Sequence, residues 1–121
     1  MKVLIIDDDT FVRTVYNSLL TEEGYEVLQA ADGEEGFKEL RKSKPDIVLL
    51  DMILPKMTGF DVLEKKRKNA SIKSIPVIVI SDLGQKNDID RAKKLGARMY
   101  LPKGEYSPNE IVTEINKLTK K

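Results

Sequence analysis

The 121-residue chain contains no cysteine, no histidine and no tryptophan. Without cysteine it has neither disulfide bonds nor a thiolate nucleophile, and without histidine it has neither a Ser-His-Asp triad nor an imidazole metal ligand. Any chemistry in this chain must therefore use carboxylates, hydroxyls and amines.

Long apolar runs are also missing. The longest are four residues, at positions 3–6, 47–50 and 77–80, far below the roughly 20 residues of a membrane-spanning helix. The amino end meets three aspartates at positions 7–9 and so lacks the apolar stretch of a secretory signal. We therefore expect no membrane insertion and a cytoplasmic location.

Charge of one sign is not in excess either, because 21 Lys and Arg face 20 Asp and Glu, giving a net charge of +1. A balanced chain lacks the general attraction to phosphate backbones on which nucleic-acid binders depend. The basic run at positions 65–68 is interpreted as a solvated helix face, since no aromatic residues interleave it. We expect no direct nucleic-acid binding, and a single domain over residues 1–121.

The three apolar runs predict the core of a parallel sheet. They are rich in Val, Ile and Leu without polar alternation, which is typical of strands buried on both faces. Positions 26–29 and 98–101 mix polar and apolar residues and are predicted to be edge strands.

Helical patterns separate these strands. The first is predicted over residues 10–23, with Phe11, Val15 and Leu19 on its buried stripe; the others follow Asp32, begin near Gly59, span 85–95 and open at Ser107. Five strand–helix alternations predict an α/β, flavodoxin-like, doubly wound (βα)5 three-layer sandwich with a five-stranded parallel sheet in the order 2-1-3-4-5.

Polar residues follow the predicted strands where each one ends. They are Asp7 and Asp8, Asp51, Ser81 and Lys103. Because ligands bind beyond the carboxyl ends of parallel strands, we expect these side chains to share one site. Three crowded carboxylates with one amine favour a hard divalent cation, and Mg²⁺ with a phosphoryl group is the natural ligand pair.

An alternative interpretation is that some of these polar residues only cap the following helices. Asp9 or Thr10 could cap the first helix, and Ser81 or Asp82 the fourth. The combination of acids, a hydroxyl and an amine at four strand ends favours the shared site over separate caps.

Over essentially its whole length, the sequence resembles the receiver domain of two-component response regulators (CheY-like). The resemblance is carried by residues 3–9, by residues 46–55 with the Met57-Thr58-Gly59 loop, by residues 77–81, and by Gly96-Ala97 leading to Tyr100 and Lys103.

This resemblance implies that Asp51 accepts a phosphoryl group from a sensor histidine kinase or a phosphotransfer protein. Asp7, Asp8, Asp51 and the backbone carbonyl of Ile53 would hold Mg²⁺. Lys103 would neutralise charge on the transferring oxygens.

The resemblance also implies a signalling receiver that catalyses only its own phosphorylation and dephosphorylation. Ser81 would bond the new phosphoryl group and Tyr100 would turn inward, which shifts the surface formed by the fourth helix, fifth strand and fifth helix. This shift would control binding of an unknown downstream protein or onward phosphorelay.

Three departures from the family pattern stand out. Pro102 precedes Lys103, with Gly104 after it, whereas the family usually has Pro directly after the Lys. Asp82 either reduces access of the phosphodonor or caps the fourth helix. Ile53 and Leu83 are apolar where polar residues could orient water, so we expect slow loss of the phosphoryl group.

Two rival functions remain open at this stage. A receiver-like interaction module that works without phosphorylation would fit Asp82 and the altered neighbourhood of Lys103. A haloacid-dehalogenase-like phosphatase would use Asp7-x-Asp9, but that motif requires Thr or Val where this chain has Phe11.

Overall fold

A computed structural model describes residues 1–119. Strands and helices alternate along it in the order β1 (Lys2–Ile6), α1 (Thr10–Glu22), β2 (Glu26–Ala30), α2 (Gly33–Ser43), β3 (Ile47–Leu50), α3 (Gly59–Arg67), β4 (Val77–Ser81), α4 (Lys86–Lys94), β5 (Met99–Pro102) and α5 (Pro108–Thr119). Lys120 and Lys121, which we expect only to aid solubility, lie outside the described residues.

The sheet is parallel throughout and has the predicted order β2-β1-β3-β4-β5. Ile6 of β1 pairs with Leu50 of β3, so the residues that follow, Asp7 and Asp51, leave the sheet side by side. The backbone N–H of Asp51 donates to the Ile6 carbonyl at 2.9 Å, which extends this pairing by one residue. The flavodoxin-like prediction is confirmed.

Two apolar clusters fill the space on opposite faces of the sheet. One joins α2, α3 and α4 to alternate strand residues, including Leu4, Val48 and Val79. The other joins α1 and α5 to the intervening residues, including Ile5 and Ile78. Because both faces are covered, the apolar runs of the three central strands, residues 3–6, 47–50 and 77–80, are buried at every position, as their sequences indicated.

The helix ends follow the predicted capping signals in most places. The Asp9 carboxylate caps α1, and Asp32 caps α2. Ser107 and Glu110 form the predicted capping box, with each side chain accepting the other residue's backbone N–H. Gly24, just past α1, has a φ of +93°, a conformation that is strained for any residue with a side chain.

The alternative in which Ser81 or Asp82 caps the fourth helix is wrong. Helix α4 begins at Lys86, its N-cap is Gln85, and no side chain caps it. Ser81 is instead the last residue of β4, and Asp82 lies in the loop between the two elements. Strand β4 includes Ser81, one residue beyond its apolar run, and α4 does not begin until Lys86. Both candidates therefore precede the helix by too many residues to cap it.

The orientation predicted for Phe11 is also wrong, because its side chain is 74% exposed. The buried residues of α1 are Tyr16 and Leu20, which lie on the neighbouring stripe of the helix. Val15 and Leu19 are half-buried at the border of that stripe. Within residues 1–119, no helix is long and apolar enough to span a bilayer.

Candidate functional site

Three carboxylates converge at the carboxyl edge of the sheet. One oxygen from each of Asp7, Asp8 and Asp51 lies within 4.8 Å of the others. Asp7 is 0% exposed and Asp51 is 5% exposed, whereas Asp8 is open to solvent. The structure therefore brings together the acids that the sequence placed at the ends of β1 and β3.

Lys103 supplies the positive charge inside this cluster. Its ammonium Nζ lies 3.2 Å from Asp7 Oδ2 and 3.3 Å from Asp51 Oδ2. Burial alone would lower the pKa of Lys103, but attraction to Asp51 and Asp7 outweighs burial and leaves the pKa raised. Lys103 is thus held as a charged ammonium that balances one of three negative charges.

The unusual order of Pro102 and Lys103 is compatible with this contact. Pro102 is the last residue of β5 and pairs with Ser81 of β4. The next residue, Lys103, donates its backbone N–H to the Ser81 carbonyl at 3.0 Å. This bond directs the lysine along the carboxyl edge of the sheet, where its side chain reaches both acids.

Asp51 occupies an environment that opposes its own ionisation. Burial raises its pKa; Lys103 acts in the opposite direction, the Asp7 charge raises the pKa further, and the Ile53 backbone N–H, 3.2 Å from Asp51 Oδ1, lowers it. The net pKa is raised. Each positive charge added near Asp51 therefore stabilises the ionised form of its carboxylate.

Arg13 supports the acidic loop after β1, and the sequence analysis missed it. Its Nη1 donates to the backbone carbonyl of Asp7 at 2.7 Å, and its Nε donates to the Gln29 side chain at 3.3 Å. Asp7 Oδ1 also accepts the Asp9 backbone N–H at 2.9 Å. The sequence signal that could have identified Arg13 is its position, one turn into the helix that follows the acidic end of β1.

Two glycines allow the loop after Asp51 to lie close to its neighbours. A Cβ on Gly59 would lie 2.7 Å from the Asp51 carbonyl oxygen, and one on Gly33 would lie 1.9 Å from the carbonyl oxygen of Met57. Neither position has room for a larger residue. The contact at Gly33 packs the start of α2 against the phosphoacceptor loop predicted by the sequence.

Ser81 and Tyr100 meet at the backbone of Leu83. The buried Ser81 Oγ accepts the Leu83 N–H at 3.2 Å, and the Tyr100 hydroxyl donates to the Leu83 carbonyl at 2.5 Å. Tyr100 lies inward at 7% exposure, and burial raises its pKa. The two residues expected to form the switch thus share one loop residue.

The donor set fits a magnesium ion. Mg²⁺ prefers oxygen ligands, commonly takes one or two carboxylates and keeps several waters. Asp7 and Asp51 are buried ligand candidates, and Asp8 is an exposed one. The remaining predicted ligand is the backbone carbonyl of Ile53. The backbone N–H of the same residue already donates to Asp51 Oδ1.

The fold and site together define a flavodoxin-like α/β domain with an acidic, lysine-bridged site at the switch point of its sheet. The sequence model of the response regulator receiver domain matches residues 3–116. The chain belongs to this family, whose members are signalling modules of two-component systems.

Relatives of known sequence agree with this assignment. The chain is 36% identical to the chemotaxis protein CheY of Thermotoga maritima, over 98% of both chains. It is 35% identical to the "Probable transcriptional regulator ycf27" of Cyanophora paradoxa, over 99% of this chain and 48% of that protein. The chain thus spans about half the length of several curated relatives that it matches.

Solved structures show the same architecture. Chemotaxis protein CheY4 of Vibrio cholerae has a TM-score of 0.88 at 28% identity, covering 97% of each chain. The CheX–CheY–BeF3–Mg complex of Borrelia burgdorferi has a TM-score of 0.89 at 29% identity, covering 100% of this chain and 90% of that one.

Proposed function

We propose that this protein is a phosphorylation-dependent signalling switch in which Asp51 accepts a phosphoryl group from the phosphohistidine of a sensor histidine kinase or a phosphotransfer protein. The observation that carries this proposal is the position of Asp51. It is a buried carboxylate 3.3 Å from a lysine ammonium and adjacent to two further acids. The kinase or phosphotransfer partner is part of the same proposal.

In the transfer step, a carboxylate oxygen of Asp51 attacks phosphorus as the phosphorus–nitrogen bond to the donor imidazole breaks. The electron pair of that bond leaves with the imidazole. Lys103 stabilises negative charge on the moving oxygens because its ammonium already contacts Asp51. Magnesium, held by Asp7, Asp8, Asp51 and the Ile53 carbonyl, would supply further charge neutralisation.

The switch follows from the contacts at Leu83. Ser81 Oγ accepts a hydrogen bond there and is also a hydrogen-bond neighbour of Tyr100. Donation of its proton to a phosphoryl oxygen would replace the contact with Tyr100. A shift of Ser81 toward that oxygen loosens its bond to the Leu83 amide, while the Tyr100 hydroxyl holds the adjoining carbonyl. Helix α4 buries only Ala92, so its light packing suits a surface that changes position.

The output is proposed to be binding of an unknown downstream protein to the α4–β5–α5 surface, or onward phosphotransfer. We place this activity in the cytoplasm, where a kinase forms its phosphohistidine from ATP.

The test is labelling with acetyl phosphate. We expect Mg²⁺-dependent addition of one phosphoryl group per chain, detected by mass spectrometry of the intact protein, and loss of labelling in Asp51→Asn. An Asp90→Asn variant is the matched control, because this exposed acid lies in α4 and pairs with Lys86 rather than with Lys103. An unlabelled wild-type chain would instead favour a module that works without phosphorylation.

The same experiment addresses the phosphatase alternative, which requires catalytic turnover rather than stoichiometric labelling. Asp9 would be one of the two catalytic acids in that case. Its Oδ1 instead accepts the Phe11 N–H at 2.8 Å and the Val12 N–H at 3.3 Å, as an N-cap. This engagement favours the receiver function over the phosphatase.

A further inference from the structure

A second feature lies away from the acidic site, between the carboxyl-terminal turns of α2 and α3. The chain forms an open groove here of about 550 Å³, lined by Phe37, Arg41, Lys65, Lys68, Asn69 and Ala70. The acidic site lies at the opposite edge of the sheet, where the helices begin. Nothing in the proposed phosphoryl transfer uses this groove.

Two cations converge on one aromatic ring in this groove. Arg41 Cζ lies 5.0 Å from the centroid of the Phe37 ring, and Lys65 Nζ lies 5.8 Å from it. Such cation–π contacts hold flexible side chains in place. The two positive charges are therefore drawn to the same ring, although they belong to different helices.

The charge of Arg41 and Lys65 is not neutralised by an acid in the described part of the chain. Across residues 1–119, neither Arg41 nor Lys65 forms an ion pair, whereas Lys68 and Arg67 share Glu64 at 3.2 and 3.4 Å. Cations in the last turn of a helix also complement the helix dipole. That effect explains basic residues at each helix end, but it does not explain why residues of two helices meet over one ring.

The occupant must be anionic, and its class follows from what the groove lacks. Single-stranded nucleic-acid binders stack successive bases on several aromatic side chains, whereas Phe37 is the one aromatic residue among those that line this groove. In the described part of the chain, the exposed large apolar side chains are Met1, Phe11 and Ile53, and none lines the groove. Insertion into a lipid surface needs such side chains.

We propose that the α2–α3 groove binds an acidic segment of a partner protein, with Asp or Glu carboxylates contacting Arg41 and Lys65. A guanidinium presents a planar fork of N–H donors that matches a carboxylate. Lys65 adds a second charge next to it, so two neighbouring acidic side chains complement the pair. This proposal does not depend on phosphorylation of Asp51.

The test uses the full chain and a fluorescein-labelled Glu-rich decapeptide, followed by fluorescence anisotropy at low salt. We expect saturable binding that Arg41→Gln with Lys65→Gln weakens about tenfold, because two charge contacts are lost and each exposed contact is individually weak. The matched control is Lys93→Gln with Lys94→Gln, which removes the same charge from exposed residues at the end of α4. This pair should leave the affinity unchanged.

A third variant, Phe37→Leu, retains every charge and removes the ring that orders the cations. We expect it to weaken peptide binding several-fold while its circular dichroism spectrum stays that of the wild type. Equal weakening by the Arg41/Lys65 double variant and by the Lys93/Lys94 double variant would overturn the proposal, because it would show general charge attraction. Tighter binding of a single-stranded oligonucleotide or of anionic vesicles, or self-association that depends on Arg41 and Lys65, would overturn the assigned partner class.

Discussion

Replacing Lys103 with methionine removes one charge from the centre of the acidic site while retaining much of the side-chain volume. The Nζ atom lies 3.2 Å from Asp7 and 3.3 Å from Asp51, and the lysine side chain is 22% exposed. At an effective dielectric constant of about 20, each contact is worth about 5 kcal/mol of Coulomb attraction. Desolvation of the ammonium offsets much of this attraction, and removing one partner of a buried ion pair costs about 3–5 kcal/mol.

We therefore expect Lys103→Met to lower the free energy of unfolding by about 3–5 kcal/mol at about pH 8 without Mg²⁺. The loss should shrink as the pH falls. Without the lysine, the already raised pKa of Asp51 rises further, and a carboxyl whose folded pKa exceeds its unfolded pKa adds stability as it takes up a proton. Protonated Asp51 no longer repels Asp7.

Urea unfolding followed by circular dichroism, at two pH values and with and without Mg²⁺, measures these effects. Mg²⁺ at a hundredfold excess over its dissociation constant adds about 2.7 kcal/mol to any state that binds it. We expect a larger gain for the variant, because its binding site has lost the competing ammonium. Lys86→Met is the matched control: its pair with Asp90 at 2.9 Å is fully exposed, so little change is expected. A loss for Lys103→Met below about 1 kcal/mol, indifferent to pH and Mg²⁺, would refute the electrostatic account.

Three further predictions concern the rim and support of the site. Ile53→Asn should shorten the half-life of the phosphorylated protein several-fold, because an amide can orient the attacking water where a 52% exposed apolar side chain does not; equal half-lives would contradict this. Gly33→Ala should lower the free energy of unfolding by about 1–3 kcal/mol or more, since its Cβ would lie 1.9 Å from the Met57 carbonyl oxygen, whereas Gly84→Ala, with nothing within 4 Å, is the control in the same urea titration. Asp82→Asn should speed labelling by anionic acetyl phosphate, most strongly at low salt; an unchanged rate would show that this exposed charge does not affect access.

The sequence could predict the sheet and the acidic cluster because both depend on short, local signals. A run such as residues 47–50, apolar at every position, is suited to a strand covered on both faces. The acid that follows it must then lie at the carboxyl edge. Once β1 and β3 are neighbours, Asp7 and Asp51 have to be close, whatever the details of the loops.

The orientation of α1 could not be predicted in the same way, because the helix carries two adjacent apolar stripes. One contains Phe11, and the other contains Tyr16 and Leu20. Helical periodicity alone does not choose between them. Packing against the sheet buries Tyr16 and Leu20, and Phe11 is left facing solvent beside the apolar cleft that also contacts Lys103.

The start of α4 decides between the two roles that the sequence left open for Asp82. A cap at Asp82 would have used its carboxylate on backbone amides and removed it from the site. Because α4 begins at Lys86, Asp82 caps no helix, and its exposed negative charge remains one residue after Ser81. Asp82 is not one of the three acids that converge at the site, so its influence on an anionic phosphodonor is long-range, and the salt dependence of labelling in Asp82→Asn measures it.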